Sequence, residues 1–175
     1  MSIDKDIKGY AARLSKYSKK DLKAATASAL SKTAAKARTR TIRGVAKAAK
    51  LPVKTIRKKV YVKRATINKL RARLSAYRNP VSLIGLKPRQ TKRGRKNGGV
   101  RAGKHFFKGA FIVRGKQVFK RKGSARLPIE VQRIHIQKTV DDIALKVTVR
   151  VMKKDFKKIL SHELRFRLSK HRPGT

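Results

Sequence analysis

The sequence predicts an α+β fold: long N-terminal helices, a small, mostly antiparallel sheet carrying a basic loop, and a long C-terminal helix. Three observations predict it. Apolar residues in the first sixty positions recur at helical spacing, in a stretch rich in Ala, the best helix former. Between residues 61 and 136 the period shortens to two, and Gly, Pro and Asn punctuate the chain. From residue 137 the helical period returns. The 175 residues are read as one structural domain of three consecutive parts, 1–60, 61–136 and 137–175.

Ile3, Ile7, Tyr10 and Leu14 are spaced as one face of a first helix. Ser18 and Asp21 have capping-box spacing and open a second helix running to about Ala49. On it Leu30, Ala34, Ala37, Thr41, Val45 and Ala48 form a narrow packing stripe. Lys32, Lys36, Arg40, Arg43 and Lys47 form a basic stripe opposite, read either as a solvated face or as an anion contact. Pro52 suits the first position of a short third helix that ends near Val60. The rhythm Ile42, Val45, Ala46, Ala49, Leu51, Val53, Ile56, Val60 fits a helix-turn-helix. Such a motif would lay Lys54, Arg57, Lys58 and Lys59 in a DNA major groove. The turn lacks Gly, and an ordinary helical hairpin explains the pattern better.

Leu70, Ala72, Leu74 and Ala76 alternate with Arg71, Arg73, Ser75 and Tyr77, as in a half-buried strand that Asn79-Pro80 ends. Val81 to Leu86 reads as a further short strand. Residues 87–104 are basic and nearly free of apolar side chains, and read as one long loop. Phe106–Arg114 and Gln117–Arg121 form a hairpin, whose two-residue Gly115-Lys116 turn pairs Val113 with Val118 and Ile112 with Phe119. Leu127-Pro128 leads into a strand over Ile129–Ile136. Thr139 and Asp142 then look like a helix start. Residues 140–152 fit both a helical stripe (Val140, Ile143, Ala144, Val147, Val151) and a strand alternation; helix is the reading adopted. Phe156, Leu160, Leu164 and Leu168 continue it on a rotated stripe, which asks for a different packing partner, a neighbouring subunit being one candidate.

Charge bounds the function. Lys and Arg number 51 against 8 Asp and Glu, a formal net charge of +43. Residues 22–129 contain 33 of those cations and no carboxylate. A catalytic carboxylate pair in the centre of the chain is therefore excluded. The charge asks for a polyanion, either nucleic acid or an acidic protein surface, and for order that depends on assembly. With no Cys there is no disulfide, Cys-based zinc site or thiol nucleophile. The longest apolar run is Ala110–Val113, too short to span a membrane. Asp4, Lys5, Asp6 and Lys8 stand where a signal peptide would be apolar, so a cytoplasm-like compartment is expected.

Weaker motifs fall away. Gly98 and Gly103-Lys104 have P-loop spacing, but His105 replaces the magnesium-binding hydroxyl, and no strand precedes or helix follows. His105, His135, His162 and His171 lack metal-ligand spacing. No Ser–His–acid set presents itself. Neither metal nor cofactor is expected. Phe106, Phe107, Phe111 and Phe119 interleave with cations, as in single-strand binders, though core packing is the commoner use of that pattern.

Several segments together resemble the minor tail protein Z family of lambda-like, long-tailed bacteriophages. They are the Ala-, Thr- and Arg-rich helix with the basic helix to Val60, Pro88–Gly94, and Val100–Gly103 with Gly109–Ile112. Gln117–Arg121, Arg126–Glu130 and the ending Phe156–Leu168 complete the order, over roughly residues 25–170. Arg95–Gly99 looks like an insertion. The resemblance implies a non-enzymatic tail-completion protein of the virion, built as a sixfold ring at the head-proximal end of the tail. Its neighbours would be the tail terminator and other neck proteins, and it would assemble in the host cytoplasm. With the charge, this makes the end of the packaged double-stranded DNA the expected polyanion. Candidate phosphate contacts are Arg40, Arg43 and Lys47 on the helix and Lys92, Arg93, Arg95, Lys96, Arg101 and Lys104 in the loop. The alternatives are a nucleic-acid-binding protein of ribosomal or nucleoid type and a sequence-specific regulator.

Overall fold

A computed structural model describes residues 19–91, 98–113 and 117–170, the last stretch without the side chains of Leu168 and Lys170. The expected first helix, Ser18, Lys92–Asn97 and the Gly115-Lys116 turn lie outside the described residues. The fold is α+β, and the chain divides into two compact units that interleave along the sequence.

The first unit takes in residues up to 40, 61–75 and 145 onward. Helix α1, Lys19–Ala48, is 30 residues long and supplies its N-terminal part. Its buried face is Ala25, Ala29, Thr33 and Ala37, a series of small residues one turn apart. The packing stripe is thus rotated from the expected one: Leu30 and Ala34 flank it half-buried, and Ala48 is exposed. Close approach through Ala and Thr, rather than the larger Leu30, sets the phase. Thr33 is buried without cost because its hydroxyl donates to the Ala29 carbonyl at 2.7 Å. Strand β1 (Val60–Lys63) pairs with β2 (Arg73–Ala76), which is shorter than its alternating pattern predicts. The Ala65 amide donates to the Ser31 hydroxyl at 3.0 Å and ties the end of β1 to α1.

The C-terminal segment, which enters this unit at residue 145, is helical, as read. Helix α3 (Gln137–Val151) enters a π-helical turn at Met152–Phe156 and continues as α4 (Lys157–Lys170). Wider winding shifts the helical phase. This explains why the Phe156, Leu160, Leu164 stripe is rotated from the one ending at Val151.

The second unit comprises residues 41–60 and 76–144. Here α1 buries Thr41, Ile42, Val45 and Ala46. It ends with Lys50 in the left-handed conformation (φ 50°), while the Leu51 amide donates to the Ala46 carbonyl at 2.9 Å and Leu51 packs inward. That is a Schellman ending with Lys in the usual glycine position. Helix α2 is only Val53–Arg57. Pro52 is its N-cap in extended conformation, not its first helical residue. Five residues are too few for a recognition helix, so the helical-hairpin reading stands. Gly44 lets α1 approach α3: a Cβ there would lie 2.9 Å from Cγ2 of Ile143.

Small antiparallel sheets fill the rest. Strand β3 (Val81–Ser82) pairs with β10 (Arg133–Ile134), and a 3-10 turn follows β3 at Ile84–Leu86. The described residues of the expected basic loop 87–104 include two strands of a β-ribbon. Strand β4 (Arg89–Thr91) pairs with β5 (Gly99–Ala102), and β5 with β6 (His105–Lys108). Alternation Arg89-Gln90-Thr91 and Val100-Arg101-Ala102 was its only trace in sequence. Gly109, at φ 72°, divides the expected Phe106–Arg114 strand into β6 and β7. A second three-stranded sheet joins β7 (Ala110–Val113), β8 (Gln117–Arg121) and β9 (Ile129–Val131). Its hairpin register differs by one from the expected: Phe111 opposes Phe119 and Ile112 opposes Val118. Three residues, not two, link the strands, and a one-residue slip changes every cross-strand pair. The slip stacks Phe111 on Phe119, centroids 6.3 Å apart, with Arg121 over the Phe111 ring. Gln132 interrupts the strand predicted over Ile129–Ile136, and α3 begins at Gln137, two residues before the expected Thr139 cap.

Candidate nucleic-acid interface

The basic stripe of α1 divides by function along its length. In the first unit, Lys32 pairs with Glu163, while Lys36 and Arg40 share Asp155 at 2.6 and 2.9 Å. Glu163 is buried and also receives Arg167 at 3.3 Å. Burial alone would push its carboxyl up. The hydrogen bonds from Lys32 and Ser28, with the charges of Lys32 and Arg167, outweigh burial and hold it below the ordinary glutamate range. Asp155 is likewise lowered, first by the hydrogen bond from Lys36 and then by the charges of Lys36 and Arg40. These acids are more than a hundred residues from their partners on α1, so no local pattern revealed those pairs. The stripe as far as Arg40 is therefore a structural seam against the C-terminal helix. Arg40, a candidate phosphate contact, is engaged there, with its side chain 40% exposed.

Beyond Arg40 the stripe is open. Arg43 and Lys47 are exposed in the second unit. Arg101 is the exposed residue of β5, and Lys104 is exposed in the β5–β6 turn, where Gly103 takes φ 58°. A ring nitrogen of His105 lies 3.0 Å from the Ala49 carbonyl, one of the orphan acceptors at the end of α1. That contact brings the Lys104 turn to the helix end carrying Lys47. Lys92, Arg93, Arg95 and Lys96 lie outside the described residues.

Two cations missed in sequence join Arg101. Arg89 is its direct cross-strand partner on β4, and Lys108 shares its face from β6. Phe106 stands opposite Arg101 and is 49% exposed. Among the described residues no carboxylate pairs with Arg89, Arg101, Lys104 or Lys108, and the second unit's two ion pairs are Arg78–Asp141 and Lys122–Glu130. The ribbon's inner side is pinned instead by Gln90. Its amide donates to the Gly99 and Ala110 carbonyls at 3.0 and 3.2 Å, and its Oε1 accepts from the Ile112 amide at 3.1 Å. The outer face thus carries cations with no described carboxylate partner, a chemistry that suits phosphates rather than a base sequence.

Among the described residues no cluster of His, Asp and Glu could hold a metal ion, and no helix is long and apolar enough to cross a membrane. A family model described as prophage minor tail protein Z (GPZ) matches residues 5–171, nearly the whole chain. The chain belongs to that family. As a minor tail protein it has a structural role in the bacteriophage tail and is a component of the virion. No curated protein and no solved structure matches this minor tail protein.

Proposed function

We propose that this minor tail protein completes the head-proximal end of the tail, readies it for joining to the head, and faces the end of the packaged duplex with its basic surfaces. It does so as a repeated, ring-forming subunit beside the tail terminator, assembled in the host cytoplasm and without catalysis. The observation that carries the genome contact is the set of exposed cations in the second unit, Arg43, Lys47, Arg89, Arg101, Lys104 and Lys108, with no described carboxylate partner. Subunit contact has its own support. The sheet β7–β8–β9 leaves Val113, Ile129 and Val131 more than a third exposed, beside Leu127 at 68%.

Duplex binding as a function of salt tests the reading. If about six phosphates are neutralised, the logarithm of the binding constant falls against the logarithm of salt with a slope of about −5. Unrelated duplexes of equal length bind alike. Binding that ignores salt, or its absence at low ionic strength, overturns the genome contact. Tails assembled without this subunit that still join heads overturn the completion role.

A further inference from the structure

We propose that the outer face of β4–β5–β6 binds single-stranded DNA, with Phe106 as the platform on which an unpaired base stacks. The inference rests on the genome contact above and narrows it to a ligand class. Register places Arg89, Arg101 and Phe106 in one row across the three strands. Thr91, Gly99 and Lys108 form the next row. Neighbouring strands lie about 4.8 Å apart, so the first row spans about 10 Å.

Gly99 sets the pose of the ring. Cζ of Phe106 comes within 3.0 Å of where a Cβ on Gly99 would be, and the Phe107 carbonyl oxygen within 2.3 Å. The ring therefore lies down over the glycine instead of standing off the sheet, and the residue stays 49% exposed. An aromatic laid flat on a sheet and edged by cations offers a π-face and phosphate contacts together. A duplex covers its base faces by its own stacking and meets only the cations. The opposition of Arg89 and Arg101 points the same way: like charges directly across two strands repel, and a phosphate between them removes the repulsion. Cover for Gly99 alone explains an apolar residue at position 106, but not three cations around it.

The chain contains no Trp, so Phe106→Trp in the full-length protein installs a single indole fluorophore in the platform. A single-stranded oligonucleotide should quench it strongly, and the same sequence as duplex should not. Phe106→Leu keeps a cover over Gly99 and should weaken single-strand binding about tenfold, with duplex binding within about twofold of the parent. Arg89→Ala with Arg101→Ala should weaken both forms and flatten the salt slope. If duplex binds while single strands leave the introduced indole unquenched, or Phe106→Leu leaves single-strand binding intact, the platform is wrong and the genome contact stands. If neither form of DNA binds, both fall.

Discussion

Replacing Glu163 by Gln should destabilise the helical unit by about 2 kcal/mol at neutral pH, a figure chosen by weighing two effects. Removing one partner of a buried ion pair costs about 3–5 kcal/mol when the stranded charge stays buried. A hydrogen bond to a charged group contributes about 1.5–3 kcal/mol. Glu163 is 4% exposed, which favours the upper range. However, the Lys32 side chain is 59% exposed and recovers water when its partner is lost, and Arg167, at 21%, recovers some. The stranded cations therefore bear little of the desolvation penalty, leaving roughly the value of the charged hydrogen bonds. For a chain of this size about 2 kcal/mol corresponds to a drop of about 4–8 °C in melting temperature. The sign of the pH dependence follows. The Glu163 pKa is lowered by folding, so its contribution is present above the ordinary glutamate range and is lost as pH falls through the folded value. Asp155 acts in the same direction. Urea unfolding followed by far-ultraviolet circular dichroism at constant salt should show the gap between parent and Glu163→Gln at about pH 7 and its progressive narrowing as pH is lowered below the ordinary glutamate range. A difference under about 0.5 kcal/mol at neutral pH, or a gap that does not narrow at all on acidification, would refute the assignment of Glu163 as the buried anchor of this seam.

Two further perturbations probe the ribbon. Gln90→Leu removes hydrogen-bond partners from three backbone groups at once and should cost about 2 kcal/mol; hydrogen exchange at the Ile112 amide should accelerate with it, and unchanged exchange would discount the pin. Gly99→Ala drives a Cβ to 2.3 Å from a backbone oxygen that cannot swing away, so a loss of about 2–3 kcal/mol or local unpairing of β5 and β6 is expected in amide spectra, whereas Gly85→Ala, with open space around it, should be silent.

Helices were more legible in the sequence than strand pairing and register, for a physical reason; the β7–β8 pairing was legible, but its register was not. A helix closes its hydrogen bonds within one segment, so the Ala-rich run to Ala48 and the stripe from Val140 to Val151 announce themselves. Even there, phase is a tertiary property: Thr33 is buried and Leu30 is half-buried because the packing favours close contact over bulk. The β4–β5 ribbon hid because its outward face is Arg89, Thr91, Gly99 and Arg101 and its inward face is short, with Gln90 where an apolar residue would have signalled a strand. The hairpin slip turned on one extra linking residue. Of the candidate contacts, Arg43, Lys47, Arg101 and Lys104 are exposed, and Arg40 is held in an ion pair that only long-range folding creates. Arg89, Lys108 and Phe106 could have been grouped with Arg101 only by knowing the register.

The carboxylate-free span from residue 22 to 129 acquires a sharper meaning once the acids are located. Asp155 and Glu163 are engaged inside the first unit, on cations of α1, and build its seam. In the second unit Asp141 and Glu130 each meet one exposed cation, at Arg78 and Lys122, neither of which belongs to β4, β5 or β6. A chain with so few acids could have scattered them to soften its self-repulsion. Two of them instead join α1 to the C-terminal helix, and among the described residues no carboxylate pairs with the cations at the open end of α1 or on the outer ribbon. Self-repulsion left standing at these sites is a cost to the isolated monomer that contact with an anion removes. The uncompensated surface is therefore better explained by its ligand than by the fold, whereas the basic stripe through Arg40, equally conspicuous in sequence, is explained by the fold alone.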